Sequence, residues 1–358
     1  MHEDRQEVPE SDSAHGRRRR GLQHPRLPRL AGSLRSRLRL PLPLHEDAEG
    51  AALAPQSLNP ILLAIVGPTA SGKTDLAIEL ARRLNGEILS ADMGQLYRKL
   101  DAATAKPDPN LDVPYHGIGI LDPAESSDAG SYARFAEPVL RDIRSRGRLP
   151  ILAGGAGLYL RALLEGFDDL PQRDNALREA LKKRADEEGR ESLHKELETV
   201  DPAAAKSIPP GNINRVMRAL EVHRLTGRPI SSFWDRAQRP PRHPAVFIGI
   251  SWEPETLRER IRIRAGAMFP ALLEEVRSLV PSHYLGLEPG FRCLGYPEAV
   301  ACVRGEMGEG EALEAMIRST CGYAKRQRTW FRRQVPTVWL EPGPGLADRA
   351  ERAYRKAA

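Results

Sequence analysis

The sequence predicts an α/β fold, in which a mostly parallel sheet lies between layers of helices and an all-helical segment is inserted. Two observations predict this fold. Short aliphatic runs alternate with helical stretches, as in parallel sheets built from strand and helix units. The alternation stops once, between residues 165 and 242, where the sequence is charge-rich and only helix-like. The predicted strands are 61–66, 87–91, 117–121, 149–153, 246–251 and 337–340.

The helical stretches divide the chain into parts. The inserted segment has three predicted helices, at 174–189, 191–200 and 212–226, and the core adds two long ones at 255–280 and 311–333. The last of these is basic. The predicted parts are an arm (1–57), the first part of the core (58–164), the helical insertion (165–242), the second part of the core (243–342) and a tail (343–358).

Composition narrows the class of protein. With 358 residues, of which 41% are hydrophobic, the chain can bury a sizeable core. A net charge of +6 favours a polyanionic partner such as nucleic acid. Three cysteines with no CxxC spacing indicate neither a disulfide framework nor a zinc site. No apolar run reaches the length of a membrane span. We expect a cytoplasmic monomer with no membrane partner.

The first 57 residues differ from the rest. Four arginines, Arg17 to Arg20, open an arginine-rich stretch without acidic residues that reaches Arg39, and Pro41 and Pro43 follow. Such a segment is expected to be disordered. It is either an arm that touches RNA phosphates or a solvated tail, which includes an extension from a misplaced start. Because clustered charge is usually solvated, the second interpretation is favoured.

A phosphate-binding loop follows the first predicted strand and precedes an amphipathic helix at 75–84. Its residues are Gly67, Pro68, Thr69, Ala70, Ser71, Gly72, Lys73 and Thr74. Glycines let backbone N–H groups face an anion, Lys73 adds a positive charge, and the Thr74 hydroxyl can hold Mg²⁺. The motif predicts binding of a diphosphate or polyphosphate and a P-loop NTPase-like three-layer core.

A carboxylate follows the second predicted strand, at Asp92. Ligands of open parallel sheets bind beyond the carboxyl ends of the strands, so Asp92 should face whatever the loop holds. It can act there as a general base or as an outer ligand of magnesium. The alternative is an Asp that only caps a loop.

In order along the chain, further motifs complete a pattern that resembles the tRNA dimethylallyltransferases, also called tRNA isopentenyltransferases. The resemblance covers residues 62–340. Besides the phosphate-binding loop, it rests on Asp-x-x-Gln-x-Tyr-Arg at 92–98, Thr-Ala-Lys-Pro at 104–107, Gly-Gly-x-Gly-Leu-Tyr at 154–159, Arg-Ala-Leu-Glu-Val at 218–222, Gly-Tyr at 295–296 and Ala-Lys-Arg-Gln at 324–327.

The resemblance implies transfer of a dimethylallyl group from dimethylallyl diphosphate to the exocyclic amine of the tRNA adenosine on the 3′ side of the anticodon. Diphosphate leaves. Mg²⁺ near Thr74 and the charge of Lys73 stabilise the leaving group, and Asp92 takes the amine proton. By the same resemblance, Arg260 and Arg264, which share a helical face, reach the diphosphate.

The resemblance also implies a set of tRNA contacts. Basic side chains would meet phosphates, amides would meet base edges, and aromatic rings would meet unstacked bases. For Trp330, a core position is as consistent with the sequence as a base contact. The implied residues are Asp92, Met93, Gly94, Gln95, Ala156, Arg178, Asn214, Arg215, Val216, Met217, Arg218, Arg292, Cys293, Leu294, Gly295, Tyr296, Pro297, Lys325, Arg326, Gln327, Arg328, Thr329, Trp330, Phe331 and Arg332.

The chain departs from the family pattern at five positions: Ala156 (usually Thr), Met93 (Ser), Tyr115 (often His), Ala103 (Gly) and Asn214 (Gln). The Thr hydroxyl is expected near the reacting amine. Three interpretations follow: an active enzyme with another group in that role, an enzyme with an altered acceptor, or a tRNA-binding protein without catalysis. The first is favoured because Lys73, Thr74, Asp92 and Gln95 are kept.

Two other enzymes would use a similar core. A small-molecule kinase would turn over ATP, but such kinases lack the helical insertion and the basic C-terminal helix. An adenylate isopentenyltransferase would prenylate AMP. It would need neither the helical insertion nor the basic C-terminal helix to bind RNA. A protein that only binds tRNA would show salt-dependent affinity and no product.

Overall fold

The computed structural model describes residues 61–166, 170–171, 173–234 and 241–358. The predicted arm, 1–57, lies outside these residues. One parallel sheet of six strands forms the centre, in the order β3-β2-β4-β1-β5-β6. Its strands are β1 (Leu62–Val66), β2 (Gly86–Ala91), β3 (Tyr115–His116), β4 (Leu149–Gly154), β5 (Ala245–Ile250) and β6 (Thr337–Leu340).

One predicted strand is wrong. Residues 117–121 were expected to be extended, but β3 ends at His116. Gly117 and Gly119 have φ of 80° and 60°, a left-handed backbone that interrupts an extended strand. The segment instead follows the loop after β2, since the amide of Leu121 donates to the carbonyl of Leu96 at 2.8 Å.

Helices cover both faces of the sheet. The side chains of β1 are buried and point alternately to the two faces, so both faces need a helical layer to exclude water. Leu63 and Ile65 pack toward one face, which is covered by helices α1 (Lys73–Arg83) and α11 (Leu346–Ala357). Helices α2 (Ala129–Ser145) and α3 (Gly157–Leu164) cover the other face. The three-layer arrangement predicted from the sequence is therefore present.

Helix α11 occupies most of residues 343–358, which were predicted to be a tail. Ala350 is fully buried against the sheet, and the Tyr354 hydroxyl donates to the carbonyl of Ile61 at 2.7 Å. The segment is part of the core. Its sequence is dominated by charged residues, so few apolar side chains signal its buried face.

The predicted insertion contains four helices in its described part: α4 (Asn175–Glu188), α5 (Arg190–Val200), α6 (Pro202–Ser207) and α7 (Ile213–Thr226). They have a hydrophobic core of their own, which includes Leu181, Leu193 and Leu220. The sequence analysis missed α6. Its start is signalled by Asp201, whose carboxylate accepts from the amide of Ala204 at 2.9 Å, and by proline at the first helical position.

Three more helices form a cluster beside the sheet: α8 (Pro254–Leu279), α9 (Tyr296–Val303) and α10 (Glu309–Gln334). Helices α8 and α10 were predicted within two residues of their observed ends. Leu272, Tyr296 and Met316 lie in the shared core of the cluster. None of the helices in the described part of the chain is both long enough and apolar enough to cross a membrane.

Candidate active site at the phosphate-binding loop

A cavity of about 240 Å³ lies where the carboxyl ends of β1, β2 and β4 meet helices α8 and α10. It brings together Lys73 and Thr74 of the phosphate-binding loop, Asp92 after β2, and Arg264 of α8. These are four of the residues that the sequence analysis chose. The cavity is also lined by Thr69, Met93, Gly94, Gln95, Ala103, Thr104, Ala105, Tyr115, Ala153, Gly154, Arg292, Cys293, Leu294, Tyr323 and Arg326.

The backbone of the phosphate-binding loop is curled by left-handed residues. Gly67 has φ of 142°, Ala70 62° and Gly72 90°. The left-handed form is unfavourable for alanine, so neighbouring groups must hold Ala70 in place. Arg260 Nε donates to the Ala70 carbonyl at 3.0 Å, and the Trp252 indole donates to the Ser71 carbonyl at 2.9 Å. A loop with this alternation forms a concave anion-binding nest.

Arg260 therefore supports the loop. Its guanidinium stacks over the Trp252 ring, 4.3 Å from the ring centroid, and its Nε is bonded to a loop carbonyl. The sequence analysis grouped it with Arg264 as a diphosphate ligand. Arg264 lines the active-site cavity, whereas Arg260 does not. Both arginines line a second cavity of about 650 Å³, together with loop residues Ala70 to Thr74. A contact of Arg260 with the diphosphate therefore stays a prediction.

Lys73 is the charge at the centre of the loop. Burial lowers its pKa to about 8, a decrease that Asp92 opposes and Arg264 reinforces. Its ammonium donates to the Pro68 carbonyl at 3.2 Å. Burial also lowers the pKa of Arg264, which stays charged. Two poorly solvated cations side by side make a site that an anion would complete.

The hydroxyl of Ser71 fits the same ligand. Ser71 is 2% exposed, and its Oγ has no hydrogen-bond partner among the residues that the structure describes. A buried hydroxyl without a partner is unfavourable. In an anion-binding loop, a phosphate oxygen is the natural acceptor for this hydroxyl.

Asp92 turns toward the cavity in a local loop that fixes its direction. Its Oδ1 accepts from the amide of Gly94 at 3.0 Å. Its negative charge adds to burial in raising the pKa of the Tyr323 hydroxyl and that of the Cys293 thiol, the latter to about 12. Asp92 thus acts electrostatically on groups from two other parts of the cavity wall.

Two buried amides join the loops around the cavity. Gln327 of α10 accepts from the amide of Thr69 at 2.8 Å and donates to the Gly155 carbonyl at 3.2 Å. Gln95 accepts from the Ser90 hydroxyl at 2.7 Å and donates to the Ala105 carbonyl at 3.0 Å. The sequence analysis gave both glutamines to tRNA. These hydrogen bonds hold the loops around the cavity together, and a contact of either glutamine with tRNA stays a prediction.

Several other residues chosen for tRNA contacts are in hydrophobic cores. The side chains of Val216, Met217, Tyr296 and Phe331 are at most 6% exposed and pack within the protein. An RNA contact through these side chains is therefore not available. The exposed members of the chosen set are Asn214, Arg215, Arg292, Pro297, Lys325, Arg326, Thr329 and Arg332.

Arg178 and Arg218 have a partner within the insertion. Glu221 is fully buried, and its Oε2 lies 2.8 Å from Arg218 Nη1 and 3.5 Å from Arg178 Nη1. Its other oxygen accepts from the amide of Asp174 at 2.7 Å. A buried carboxylate requires such compensation. The two arginines thus neutralise Glu221 and fix the start of α4.

Ala156 is the N-cap residue of α3, and Trp330 of α10 packs against the start of that helix. The amide of Ala156 donates to the Ala91 carbonyl at 3.0 Å, which joins the ends of β2 and β4. Trp330 is partly buried and covers Gly157, where an added Cβ would lie 2.4 Å from the indole ring. The ring also packs edge-on against Phe331, with centroids 4.9 Å apart. Packing therefore accounts for the position of Trp330.

Trp252 and Tyr323 are two residues of the site that were not chosen from the sequence. Trp252 holds the phosphate-binding loop, and Tyr323 lines the cavity. Signals for both existed. Trp252 comes two residues after β5, at the ligand-binding edge of the sheet. Tyr323 precedes Gln327 by four residues, so the two share a face of α10.

The fold and the site define a P-loop α/β protein with an anion-binding loop beside a carboxylate. Comparison with known families is more specific. The model of the IPP transferase family matches residues 95–334, and that of the isopentenyl transferases matches residues 60–111. The chain belongs to the IPP transferase family.

Individual relatives agree. The tRNA dimethylallyltransferase of Anaeromyxobacter dehalogenans (strain 2CP-C) is 42% identical over 297 residues, which cover 81% of this chain and 99% of the relative. That of Methylococcus capsulatus is 42% identical over 303 residues, 83% of this chain and 97% of the relative.

Solved structures show the same fold. The full-length tRNA isopentenylpyrophosphate transferase of Bacillus halodurans superposes with a TM-score of 0.61 at 34% identity, over 83% of this chain and 95% of that chain. A eukaryotic dimethylallyltransferase acting on tRNA gives a TM-score of 0.69 at 23% identity, over 78% of this chain and 73% of that chain.

Proposed function

We propose that the protein transfers a dimethylallyl group from dimethylallyl diphosphate to the exocyclic N6 of the tRNA adenosine on the 3′ side of the anticodon. One observation carries this proposal: the anion-binding loop with Lys73 and the carboxylate of Asp92 line the same cavity. A leaving diphosphate and a proton acceptor are the two requirements of this reaction. The relatives named above as tRNA dimethylallyltransferases support it.

The loop and its cations act on the leaving group. When the allylic C–O bond breaks, its electron pair stays on the diphosphate oxygen, where negative charge grows. Lys73 and Arg264 both line the cavity in which this charge develops. Preorganised, poorly solvated cations stabilise such a charge more strongly than water does. Arg260 and Trp252 contribute indirectly, because they hold the loop carbonyls.

Asp92 acts on the acceptor. The N6 lone pair forms the new N–C bond at the allylic carbon, and the nitrogen becomes acidic as that bond forms. Asp92 then takes the N6 proton. The bond from the Gly94 amide to Oδ1 fixes the orientation of the carboxylate for this transfer. The product amine is neutral, and diphosphate is released.

Magnesium fits this site only together with the substrate. No group of three His, Cys, Asp or Glu side chains suited to a metal occurs in the described residues. Mg²⁺ is commonly held by one or two protein oxygens and by substrate phosphates. Here the protein oxygens would be the Thr74 hydroxyl, with Asp92 in an outer position. When bound, the ion would neutralise charge on the diphosphate.

The tRNA would lie across the exposed basic residues around the cavity. Arg292 and Arg326 line its rim, and Lys325, Arg332 and Arg215 are exposed in the segments chosen from the sequence. Such contacts to phosphates position an RNA and weaken with salt. We also propose that the enzyme is a monomer and that it is cytoplasmic; its few cysteines agree with a reducing compartment.

Labelled dimethylallyl diphosphate tests the proposal. We expect label on unmodified tRNA, in the presence of Mg²⁺, and none on AMP offered as the sole acceptor. Label on AMP would indicate an adenylate isopentenyltransferase instead, and ATP turnover with a small-molecule acceptor would indicate a kinase. Salt-dependent tRNA binding with no transfer would show that catalysis is lost.

A further inference from the structure

A small side cavity adjoins the active-site cavity behind the phosphate-binding loop. Its volume is about 40 Å³. Thr69, Ala103, Arg264 and Leu294 line both cavities, so the two spaces are adjacent. The rest of the side-cavity wall consists of Ala70, Ile261, Ala265, Met268, Met316 and Thr320.

We infer that the side cavity takes the branched end of the prenyl group, and that Met316 and Met268 limit the chain to five carbons. This inference rests on the proposed function and adds to it the residues that select the donor. It follows from the position, the chemistry and the size of the cavity.

The position suits an allylic diphosphate. Thr69 and Ala70 belong to the anion-binding loop and also line the side cavity. A molecule with its diphosphate in the loop has its carbon chain within reach of this space. Arg264 lines the same wall and marks the end at which the charged part of the donor lies.

The chemistry of the wall suits hydrocarbon. Seven of its ten residues are alanine, isoleucine, leucine or methionine. Thioether and aliphatic side chains provide favourable contacts for a branched alkene. The polar exceptions are Thr69, Arg264 and Thr320, and the Oγ1 of Thr320 is buried without a partner among the described residues.

The size suits a short chain. A volume of about 40 Å³ corresponds to about three water-sized spheres. That space matches the branched end of a dimethylallyl group, whereas a geranyl group carries an additional isoprene unit. The ten-carbon chain would have to displace the side chains that close the cavity.

Both methionines are held in place. Met316 is 5% exposed and packs over Gly295, where an added Cβ would lie 2.9 Å from its Cε. Gly295 has φ of 88°, a backbone conformation that favours glycine. The absence of a side chain at this position also leaves the space that Met316 occupies. Met268 receives a hydrogen bond from Arg264 Nε, at 3.3 Å from its sulfur. Side chains that are held in place can exclude a longer prenyl chain, whereas mobile side chains would move aside for it.

Shortening a methionine tests the inference. The rates of dimethylallyl and geranyl transfer from their diphosphates to tRNA would be compared in the wild-type enzyme, Met316→Ala and Met268→Ala. We expect each variant to raise the ratio of geranyl to dimethylallyl transfer about tenfold or more, since one methylene of fit in an apolar pocket discriminates by about 10 to 200-fold.

The matched control is Met307→Ala. Met307 packs against the same helical cluster but does not line the side cavity, so the ratio should stay at the wild-type value. A complementary variant, Ala265→Leu, fills the cavity. It should raise KM for dimethylallyl diphosphate about tenfold, while inhibition by inorganic diphosphate stays unchanged.

The outcomes separate the inference from the proposed function. A wild-type enzyme that transfers no prenyl group to tRNA would overturn the proposed function. Wild-type dimethylallyl transfer with an unchanged geranyl ratio in both methionine variants, and an unchanged KM in Ala265→Leu, would overturn the inference alone. Circular dichroism shows whether each variant is folded. If one methionine variant is unfolded, the transfer ratio of the other and the KM of Ala265→Leu still test the inference.

Discussion

Gln327 accepts a hydrogen bond from the backbone amide of Thr69 at 2.8 Å, although 258 residues separate them in the chain. The same side chain donates to the Gly155 carbonyl at 3.2 Å. A single buried amide thus joins the basic helix α10 to the phosphate-binding loop and to the loop after β4. The surface proposed for tRNA and the site proposed for diphosphate are therefore mechanically connected.

Replacing this amide should impair catalysis more than folding. Gln327→Glu keeps an acceptor for Thr69 but loses the donor to Gly155 and adds negative charge near the diphosphate. We expect kcat/KM for dimethylallyl diphosphate to fall about 100-fold, in the range seen when one preorganised polar group of an active site is lost. Steady-state kinetics with tRNA in excess measures the effect.

Gln334→Ala is the matched control, because Gln334 is exposed at the end of the same helix. It should leave kcat/KM at the wild-type value. An equal loss of kcat/KM in both variants would show that α10 tolerates no change. A Gln327→Glu variant with the wild-type kcat/KM would show that the hydrogen bonds of Gln327 have no role in catalysis.

Much of this site could be predicted from sequence because its signals are local. The phosphate-binding loop is a contiguous motif, and Asp92 follows a strand at the edge where ligands bind. The roles of Gln95, Gln327 and Arg260 could not be predicted in the same way. Each depends on a partner brought close by the fold, and a polar side chain that holds a loop resembles one that reads RNA until its hydrogen bonds are known.

The same limit explains the errors in the fold. Helix α11 buries Ala350 and Tyr354 within a charged sequence, so its buried face carries few apolar residues. The extent of β3 depends on its pairing with β2, through Tyr115 and His116, and on the left-handed glycines that follow. Aliphatic composition alone does not reveal either feature.

The pKa of Lys73 predicts a pH dependence of anion binding. Burial lowers this pKa to about 8, so Lys73 is cationic below that pH and becomes neutral as pH rises through it. We expect the affinity of the wild type for inorganic diphosphate to fall between pH 7 and pH 9, relative to Lys73→Arg. Isothermal titration calorimetry at several pH values measures it.

Lys73→Arg is the appropriate reference because arginine stays protonated over this range. It also cancels the titration of the diphosphate itself. A constant ratio of the two affinities across the range would show that Lys73 does not lose its proton there.

The buried carboxylate of Glu221 predicts a stability effect. Glu221→Leu would leave Arg178 and Arg218 without their shared partner and the amide of Asp174 without its acceptor. We expect the free energy of unfolding to fall by about 3 kcal/mol. Denaturant unfolding followed by circular dichroism measures the change. Glu187→Leu, at an exposed position of α4, is the control and should change stability by less than about 0.5 kcal/mol.

Ala156 predicts a gain of function. The residue lies at the N-cap of α3 with φ of −86°, a backbone that threonine also adopts. We expect Ala156→Thr to retain the fold and to increase the rate of transfer to tRNA, because the resemblance described above implies a hydroxyl at this position near the reacting amine. Ala156→Val, which has the same shape without the hydroxyl, should not increase the rate. Equal rates in the two variants would show that the hydroxyl has no role.

The measurement that tests the account most directly is single-turnover transfer of labelled dimethylallyl to tRNA by Asp92→Asn. Asparagine keeps an oxygen that can accept from Gly94, but it has neither the negative charge of Asp92 nor the ability to take a proton. The account predicts a rate about 10² to 10⁴-fold below the wild type, with an unchanged affinity for tRNA. A variant rate equal to the wild-type rate would contradict the account, because Asp92 would then not be the base.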